Sequence, residues 1–366
     1  MKKYWIADLK ENDLLADQIF LAVEKATPMA KNNKQYMTLK LSDKTGVIEA
    51  RMWDNVDKYT GKFEQGDYIK VTGIVNSYRD NLQMIIKDIK KIDGSDIDLR
   101  EFVQASEYDL DEMLENLFEF IDSLDGKYIK KLLKKMFNNA YILESYKMSP
   151  AGVKLHHAFL SGLLEHSLSV TSLCDKMVKH YKDDLGIPIN RDLVIAGALL
   201  HDIGKIYELD YEKGFKYTTE GQLIGHVVIG YQLMSDMANL IEGFPYKVKM
   251  HLGHIILAHQ GRLEFGSPKT AMSMEAFIVH SADELDSKIN MLKNNIPYID
   301  GEVNKDKVWS PFLKNLDSNY AVNSSDDISK LKDSDIIERR RYLELELNKI
   351  SNDKATKDKK QPKSLF

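Results

Sequence analysis

His201 and Asp202 stand side by side where an apolar helix must end: Ala198-Leu199-Leu200 runs into them, and Gly204 and Lys205 follow. Burying a carboxylate beside an imidazole costs on the order of several kcal/mol unless a cation or full pairing compensates. A divalent metal ion is the simplest compensator. All ten histidines lie from His156 onward, in the stretch that reads as helix. His166 falls on the three-four stripe Phe159, Leu163, Val170, Leu173 and Met177 of a helix read from Leu155 to Tyr181. His226 falls on a second stripe, Leu223, Val227, Gly230, Leu233 and Met237, while His254 and His259 flank Ile255 to Ala258 just before Gly261. Asp283 follows the apolar run Ala276 to Val279, with Asp286 close behind.

An inward-facing imidazole needs a hydrogen bond or a metal. A single histidine on an apolar face is more often a hydrogen-bonded core residue, and His226 taken alone supports no more than that. The His201-Asp202 doublet differs, because two adjacent buried polar groups need joint satisfaction. A mixed nitrogen and oxygen donor set suits Mn, Fe, Ni, Co or Zn better than Ca. His180, His251 and His280 read as surface residues or outer contacts. His156 and His157, at the start of the first helix, are candidates for capping it or for facing a substrate phosphate.

These residues need elements to hold them. Before them, five strands are expected: Gln18–Ala26, Gln35–Leu41, Gly46–Trp53, Tyr68–Val75 and Leu82–Ile89, each alternating or β-rich and bounded by turn residues. A polar insertion at Asn55–Gln65, with room for a short helix, separates the third strand from the fourth. That layout is an OB-fold, a small Greek-key barrel. An acidic linker (Ile97 to Glu107) and a helical connector (Tyr108 to Ser145, ended by Pro150) lead to a region that is helical from Leu155 to about Ile296, with turns at Gly186-Ile187-Pro188, at Gly214 and at Gly261 to Pro268. The fold class is therefore multidomain α and β: a barrel over residues 1–95, linker and connector over 96–150, an all-α domain over 151–322, and a charged helix (Asp326 to Ile350) with a Lys/Asp-rich end over 323–366.

Composition removes several other classes. With 43% hydrophobic and 29% charged residues in 366, the chain is an ordinary globular one of about two domains. No apolar run is long enough for a membrane span and the N-terminus has no secretory pattern, so a cytoplasmic protein with no membrane partner is expected. One cysteine, Cys174, excludes an internal disulfide framework and a cysteine zinc cage. The net charge of −5 gives no global basic field, although residues 1–93 carry 16 Lys and Arg against 14 Asp and Glu, a local balance of +2.

The series His166, His201-Asp202 and Asp283 resembles the HD superfamily of metal-dependent phosphohydrolases. The match is closer to the YhaM-type 3′–5′ exoribonucleases, which join an OB-fold to an HD domain. The segments GLLEHSLSV (Gly162–Val170), LLHDIGK (Leu199–Lys205), LAHQGRLEFGSP (Leu257–Pro268) and EAFIVHSADELDSK (Glu275–Lys288) carry it, and the likeness runs from the strands to about residue 320. It implies a divalent metal, Mn²⁺ first and Fe, Co, Ni or Zn as compatible substitutes, as one or two ions. The ligands it implies are His166, His201, Asp202 and Asp283, with His226, His254 and His259 resembling branches that hold a second ion. It also implies hydrolysis of single-stranded RNA, and of single-stranded DNA as a second class, to nucleoside 5′-monophosphates, with Asp202 catalytic. By position, Lys205 either joins catalysis by neutralising phosphoryl charge or is a surface lysine suited to a helix end, and Arg262 either clamps substrate or is solvated. The barrel would then hold the strand through Tyr36, Trp53 and Tyr78 with Lys40, Arg51 and Arg79, although strand aromatics more often pack in cores. One departure is visible: the family commonly has His-His-Gly where this chain has His259-Gln260-Gly261, and an amide is a poor metal ligand. Two other readings stand beside it: an HD phosphohydrolase of a small nucleotide, and a non-catalytic single-strand-binding, replication-linked protein with a structural metal.

Overall fold

A computed structural model of the chain describes residues 3–320 apart from 31–33, 80, 94–96, 154–158, 212–214, 296–297, 300–301, 304–309, 311, 314–315, 317 and 319. Asp80, His157, Gly214, the expected helix start at Leu155 and the tail helix from Asp326 lie outside the described residues. The chain divides into two compact units, Met1–Met291 and Leu292–Phe366.

The first unit opens with strands β1 (Leu14–Ala26), β2 (Met37–Asp43) and β3 (Gly46–Met52), a one-turn helix α1 (Val56–Tyr59), and strands β4 (Tyr68–Tyr78) and β5 (Asn81–Lys91). They close into a barrel in the order β1-β2-β3-β5-β4, with β3 and β5 parallel and every other pair antiparallel. This is the OB-fold order. Alternation builds it: along β2, Met37, Leu39 and Leu41 point into the core while Thr38 and Lys40 point out. Phe20, Met37, Leu41, Ile69 and Met84 fill the interior, and α1 adds buried Val56 and Tyr59. β1 begins four residues before the expected Gln18, because its pairing with β4 slips between Leu15 and Gln18, where Asp17 takes φ +51°. A bulge of this kind lets a strand bend around a barrel, and it breaks the alternation by which strands are read from sequence.

Residues 97–107 do more than link. Ala105 pairs with Leu160 as a parallel bridge, Leu160 N–H donates to the Gln104 carbonyl (2.8 Å) and Ser106 N–H to the Leu160 carbonyl (2.9 Å). Phe102 and Val103 join Leu21 and Tyr68 of the barrel and Leu160 of the helical part in a small apolar cluster. Acidic flanks at Asp98, Glu101 and Glu107 hide those few apolar residues in the sequence.

The helical part comprises α2 (Leu110–Asp122), α3 (Lys127–Phe137), α4 (Ala140–Met148), α5 (Gly162–Val178), α6 (Arg191–Leu200), α7 (Lys205–Glu208), a short hairpin β6/β7 (Leu209–Asp210, Lys216–Tyr217), α8 (Thr219–Leu223), α9 (His226–Asn239), α10 (Tyr246–Ala258) and α11 (Met274–Asn295). Side-chain caps fix several starts: Asp109, Asn139, Asn190 and Thr218 each accept backbone N–H groups at the head of α2, α4, α6 and α8. α6 is apolar all round, with every residue from Leu193 to Leu200 buried, so it runs through the middle of the domain. The expected connector helices α2–α4 share one continuous core with α5, α6, α9, α10 and α11. Two readings change. Phe159 lies in the turn before α5 and not on the His166 helix, and 81%-exposed Leu223 ends α8 outside the His226 stripe, since α9 begins at His226 itself. In the second unit, a hairpin β8/β9 (Tyr298–Ile299, Glu302–Val303) is described.

Candidate metal centre and nucleic-acid face

Six of the expected ligands converge. His166 and His201 are fully buried, Asp202 and His259 nearly so, and Asp283 and His226 are at the rim of the same space. Ligand atoms of His166, His201 and Asp283 lie within 4.8 Å of one another, as do those of Asp202, His226 and His259. Asp202 faces both groups. Its Oδ2 is 3.7 Å from His166 Nε2 and 3.4 Å from His201 Nε2, and its Oδ1 is 3.3 Å from His226 Nε2 and 3.5 Å from His259 Nε2. Asp283 Oδ1 sits 3.1 Å from His166 Nε2.

The backbone and a ring of outer partners aim these rings. His201 and His259 each stand one residue past a helix end, where carbonyls lack helical partners. His201 donates Nδ1–H to the Ala198 carbonyl and His259 donates Nδ1–H to the Ile256 carbonyl, both at 2.7 Å. His166 gives Nδ1–H to Asp286 Oδ2 (2.8 Å), and Ser169 holds the other oxygen of Asp286. His226 gives Nδ1–H to Glu208 Oε1 (3.0 Å), which also takes the His226 backbone N–H (2.9 Å). With Nδ1 engaged, every Nε2 is left to face inward. Donation of the second ring nitrogen to a carboxylate or carbonyl is the usual way a metal-ligating histidine is oriented.

Inward-facing Nε2 atoms and carboxylate oxygens are all acceptors. His166 Nε2 and His201 Nε2 lie 3.3 Å apart, and with both Nδ1–H groups engaged elsewhere, two lone pairs facing each other call for a proton or a cation. Among the described residues, four carboxylates (Asp202, Asp283, Asp286 and Glu208) touch these histidines, against one ammonium, Lys205, whose Nζ is 2.6 Å from Asp202 Oδ2. Burial would raise the Asp202 carboxyl, yet Lys205 and His201 hold it well below the usual range. Burial likewise opposes charge on Asp283, and the hydrogen bond to His166 and the His201 charge overcome it, again lowering its pKa. Burial would strip the proton from His201, but Asp202 and Asp283 raise it to about 9. A proton thus stands in at the place where a cation is wanted. The donor set, nitrogen and carboxylate oxygen in two groups sharing one aspartate, fits divalent metal ions of the Mn–Zn series.

One expected ligand stands outside these groups. His254 lies on α10 nearly a turn and a half before His259, its Nε2 accepts the Met272 N–H at 2.9 Å, and neither group includes it. Arg262 is exposed on the turn that follows His259. Lys205 is placed on Asp202 as a buried ion pair.

The sequence reading gave Asp286 no role and did not single out Glu208. Asp286 is three residues after Asp283, hence on the same face of α11, and Glu208 is three after Lys205 on α7; that spacing was the available signal. His280, read as surface or outer contact, lies under the metal-centre turn: its Nδ1–H donates to the His259 carbonyl (2.7 Å), and its ring fills the space where a Cβ on Gly261 would come within 2.1 Å of it. Gly261 also has φ +72°, which favours glycine. Gly204 has a similar role in packing, because a Cβ there would lie 2.0 Å from the His226 carbonyl oxygen, and that approach brings α7 against the head of α9.

On the barrel, Tyr36 and Trp53 stack (ring centroids 4.8 Å, interplanar angle 17°). The Arg51 guanidinium lies 5.9 Å from the Trp53 ring centre and 5.7 Å from that of Tyr78, and Arg79 lies 5.4 Å from Tyr78. Trp53 and Tyr78 are 41% and 50% exposed. Five of the six expected side chains therefore form one outward aromatic and cationic patch. Lys40, beside it on β2, pairs with Glu24 (2.9 Å), and Arg51 faces Glu49 (4.0 Å), so carboxylates partly neutralise this face.

Comparison with known proteins agrees with this architecture. The HD domain family matches residues 163–288, and an OB-fold nucleic acid binding domain family matches residues 22–92. The chain is 34% identical over 280 residues to the 3′-5′ exoribonuclease YhaM of Geobacillus sp. (strain WCH70), covering 75% of this chain and 83% of that protein. Among solved structures, the second OB-fold domain of replication protein A from Methanococcus maripaludis is similar at 23% identity and TM-score 0.22, over 25% of this chain and 94% of that one. The mitochondrial single-stranded DNA binding protein Rim1 of S. cerevisiae follows at 12% identity and TM-score 0.20, over 23% of this chain and 97% of that one. At such scores neither bears on function. With an OB barrel ahead of an HD domain and a curated relative matched along most of its length, the chain belongs to the YhaM family of 3′–5′ exoribonucleases.

Proposed function

We propose that this protein is a metal-dependent 3′–5′ exonuclease that shortens single-stranded RNA, and single-stranded DNA as a second substrate, to nucleoside 5′-monophosphates. The observation that carries the reading is Asp202 presenting one oxygen to each of two histidine groups. His166, His201, Asp202 and Asp283 would hold one ion, and Asp202, His226 and His259 a second, with Mn²⁺ the expected metal. When bound, such ions acidify a water and offset charge on phosphoryl oxygens.

The chain's own residues do the rest. Glu208, Asp286 and the carbonyls of Ala198 and Ile256 fix the rings in the tautomer that leaves Nε2 free. Lys205 holds Asp202 ionised and keeps a positive charge beside the place where phosphoryl charge builds. Arg262, on the exposed turn after His259, is a candidate contact for the incoming strand. The Tyr36, Trp53, Arg51, Tyr78 and Arg79 patch would stack bases upstream of the scissile bond.

The test is purified protein with Mn²⁺ on a 5′-labelled single-stranded RNA, beside a matched DNA and a panel of nucleotides. A ladder shortening from the 3′ end, with 5′-monophosphates released, is expected. Asp202→Ala should reduce turnover by at least about 10³-fold while still binding the strand. Hydrolysis confined to free nucleotides, or an Asp202→Ala protein of undiminished activity, would refute the reading.

A further inference from the structure

Gln260 occupies, after His259, the position that Asp202 occupies after His201: in both cases a histidine one residue past a helix end donates Nδ1–H to the carbonyl three residues back, and the next side chain reaches the centre. Where the first such side chain is a carboxylate, the second is an amide. Its Nε2 lies 3.1 Å from His226 Nε2.

The identity of the donor follows from the other end of the ring. Glu208 accepts both the backbone N–H and the Nδ1–H of His226, so in the neutral ring that a metal would need, Nε2 offers a lone pair on the side of Asp202 Oδ1, 3.3 Å away. Only the NH₂ edge of Gln260 can face that lone pair. The same lone pair is the one a metal ion at Asp202, His226 and His259 would need. The Gln260 turn is itself held: His280 supports Gly261, and the Arg262 N–H donates back to the Gln260 carbonyl at 2.8 Å.

We infer that Gln260 is a positioning residue that closes the second metal site, so that the His226/His259 group fills only when an ion displaces the amide. The inference rests on the two-ion reading of Asp202 given above. It makes the second ion the weaker and the exchangeable one.

The experiment titrates Mn²⁺ into metal-free full-length protein, following heat and low-temperature electron paramagnetic resonance, in which two neighbouring Mn²⁺ ions give a coupled signal. Wild type should bind in two separated steps, the coupled signal growing only with the second. Gln260→Met, similar in length and without a donor, should tighten the second step about tenfold and leave the first unchanged; Gln260→Ala should do the same. His226→Ala identifies the second step by removing it. An unchanged second step in both Gln260 variants overturns the proposal. So does a weakened one, which would make the amide oxygen a ligand. RNA cleavage is scored in parallel: two ions bound with RNA left intact would sink the exonuclease reading alone, and cleavage with a second step indifferent to Gln260 would sink only this inference.

Discussion

Among the described residues, four imidazoles at the centre give their Nδ1–H to a carboxylate or carbonyl and turn Nε2 inward. Their affinity for metal therefore depends on groups that never touch it. Asp286→Asn keeps an acceptor for His166 but removes its charge, and should weaken Mn²⁺ binding by about 10–100-fold at unchanged fold, measured by metal titration beside a melting curve. Protons compete at the same place. Burial disfavours charge on His201, but Asp202 and Asp283 raise it to about 9, so its protonated form dominates in metal-free protein up to that pH. An ion must expel that proton. Mn²⁺ affinity of the His166/His201/Asp283 group should thus rise about tenfold per pH unit from 7 to 9 and flatten above; calorimetry in buffers of different ionisation enthalpy should detect about one proton released by the ion entering that group below pH 9 and none well above it.

At the scale of elements, the centre depends on helix ends and close crossings. α6 and α10 each deliver a histidine just past their last turn, and α9 delivers His226 at its first residue. Bringing His226 to Asp202 requires α7 to approach the head of α9 so nearly that a Cβ at position 204 would sit 2.0 Å from a carbonyl oxygen. Backbone cannot yield as a side-chain tip can. Gly204→Ala should cost about 1–3 kcal/mol of stability and also spread the two metal groups. The readout is a lowered melting temperature together with loss of the second Mn²⁺ step; a variant that melts lower but binds both ions normally would show that this crossing does not set the geometry.

For the whole first unit, the barrel and the helical domain share the apolar cluster of Leu21, Tyr68, Phe102, Val103 and Leu160, with Tyr68 and Phe102 edge to face at 5.1 Å. Ser106 Oγ adds a hydrogen bond to Glu165 of α5 at 2.6 Å. A strand lying on the barrel is therefore presented from a docked module. Two of its three expected cations face carboxylates, leaving aromatic stacking as the main attraction. Trp53→Ala should weaken single-strand binding by about 1–3 kcal/mol, raising KM on long RNA with kcat little changed. The salt dependence of binding in metal-free protein should be nearer the slope of about −0.7 expected for one neutralised phosphate than the roughly threefold steeper slope of three free cations.

Much of this was legible from residues alone, because the signals were local. Strand alternation, the insertion after the third strand and the three-four stripes specify a five-stranded barrel and a helical domain, and His166, His201, Asp202 and Asp283 declare themselves as polar residues that an apolar helix would not otherwise carry. Spacing could not separate His254 from His259, which lie on one helix and its end; packing does, since the Met272 N–H claims one and the turn over His280 presents the other. Nor could composition show that Asp286 and Glu208 orient two of the rings, that the acidic segment 97–107 docks the barrel, or that Gln260 lies against His226. Each of those depends on which residues far apart in the chain come within hydrogen-bonding or van der Waals reach. Distance of that kind exists only after the helices have packed.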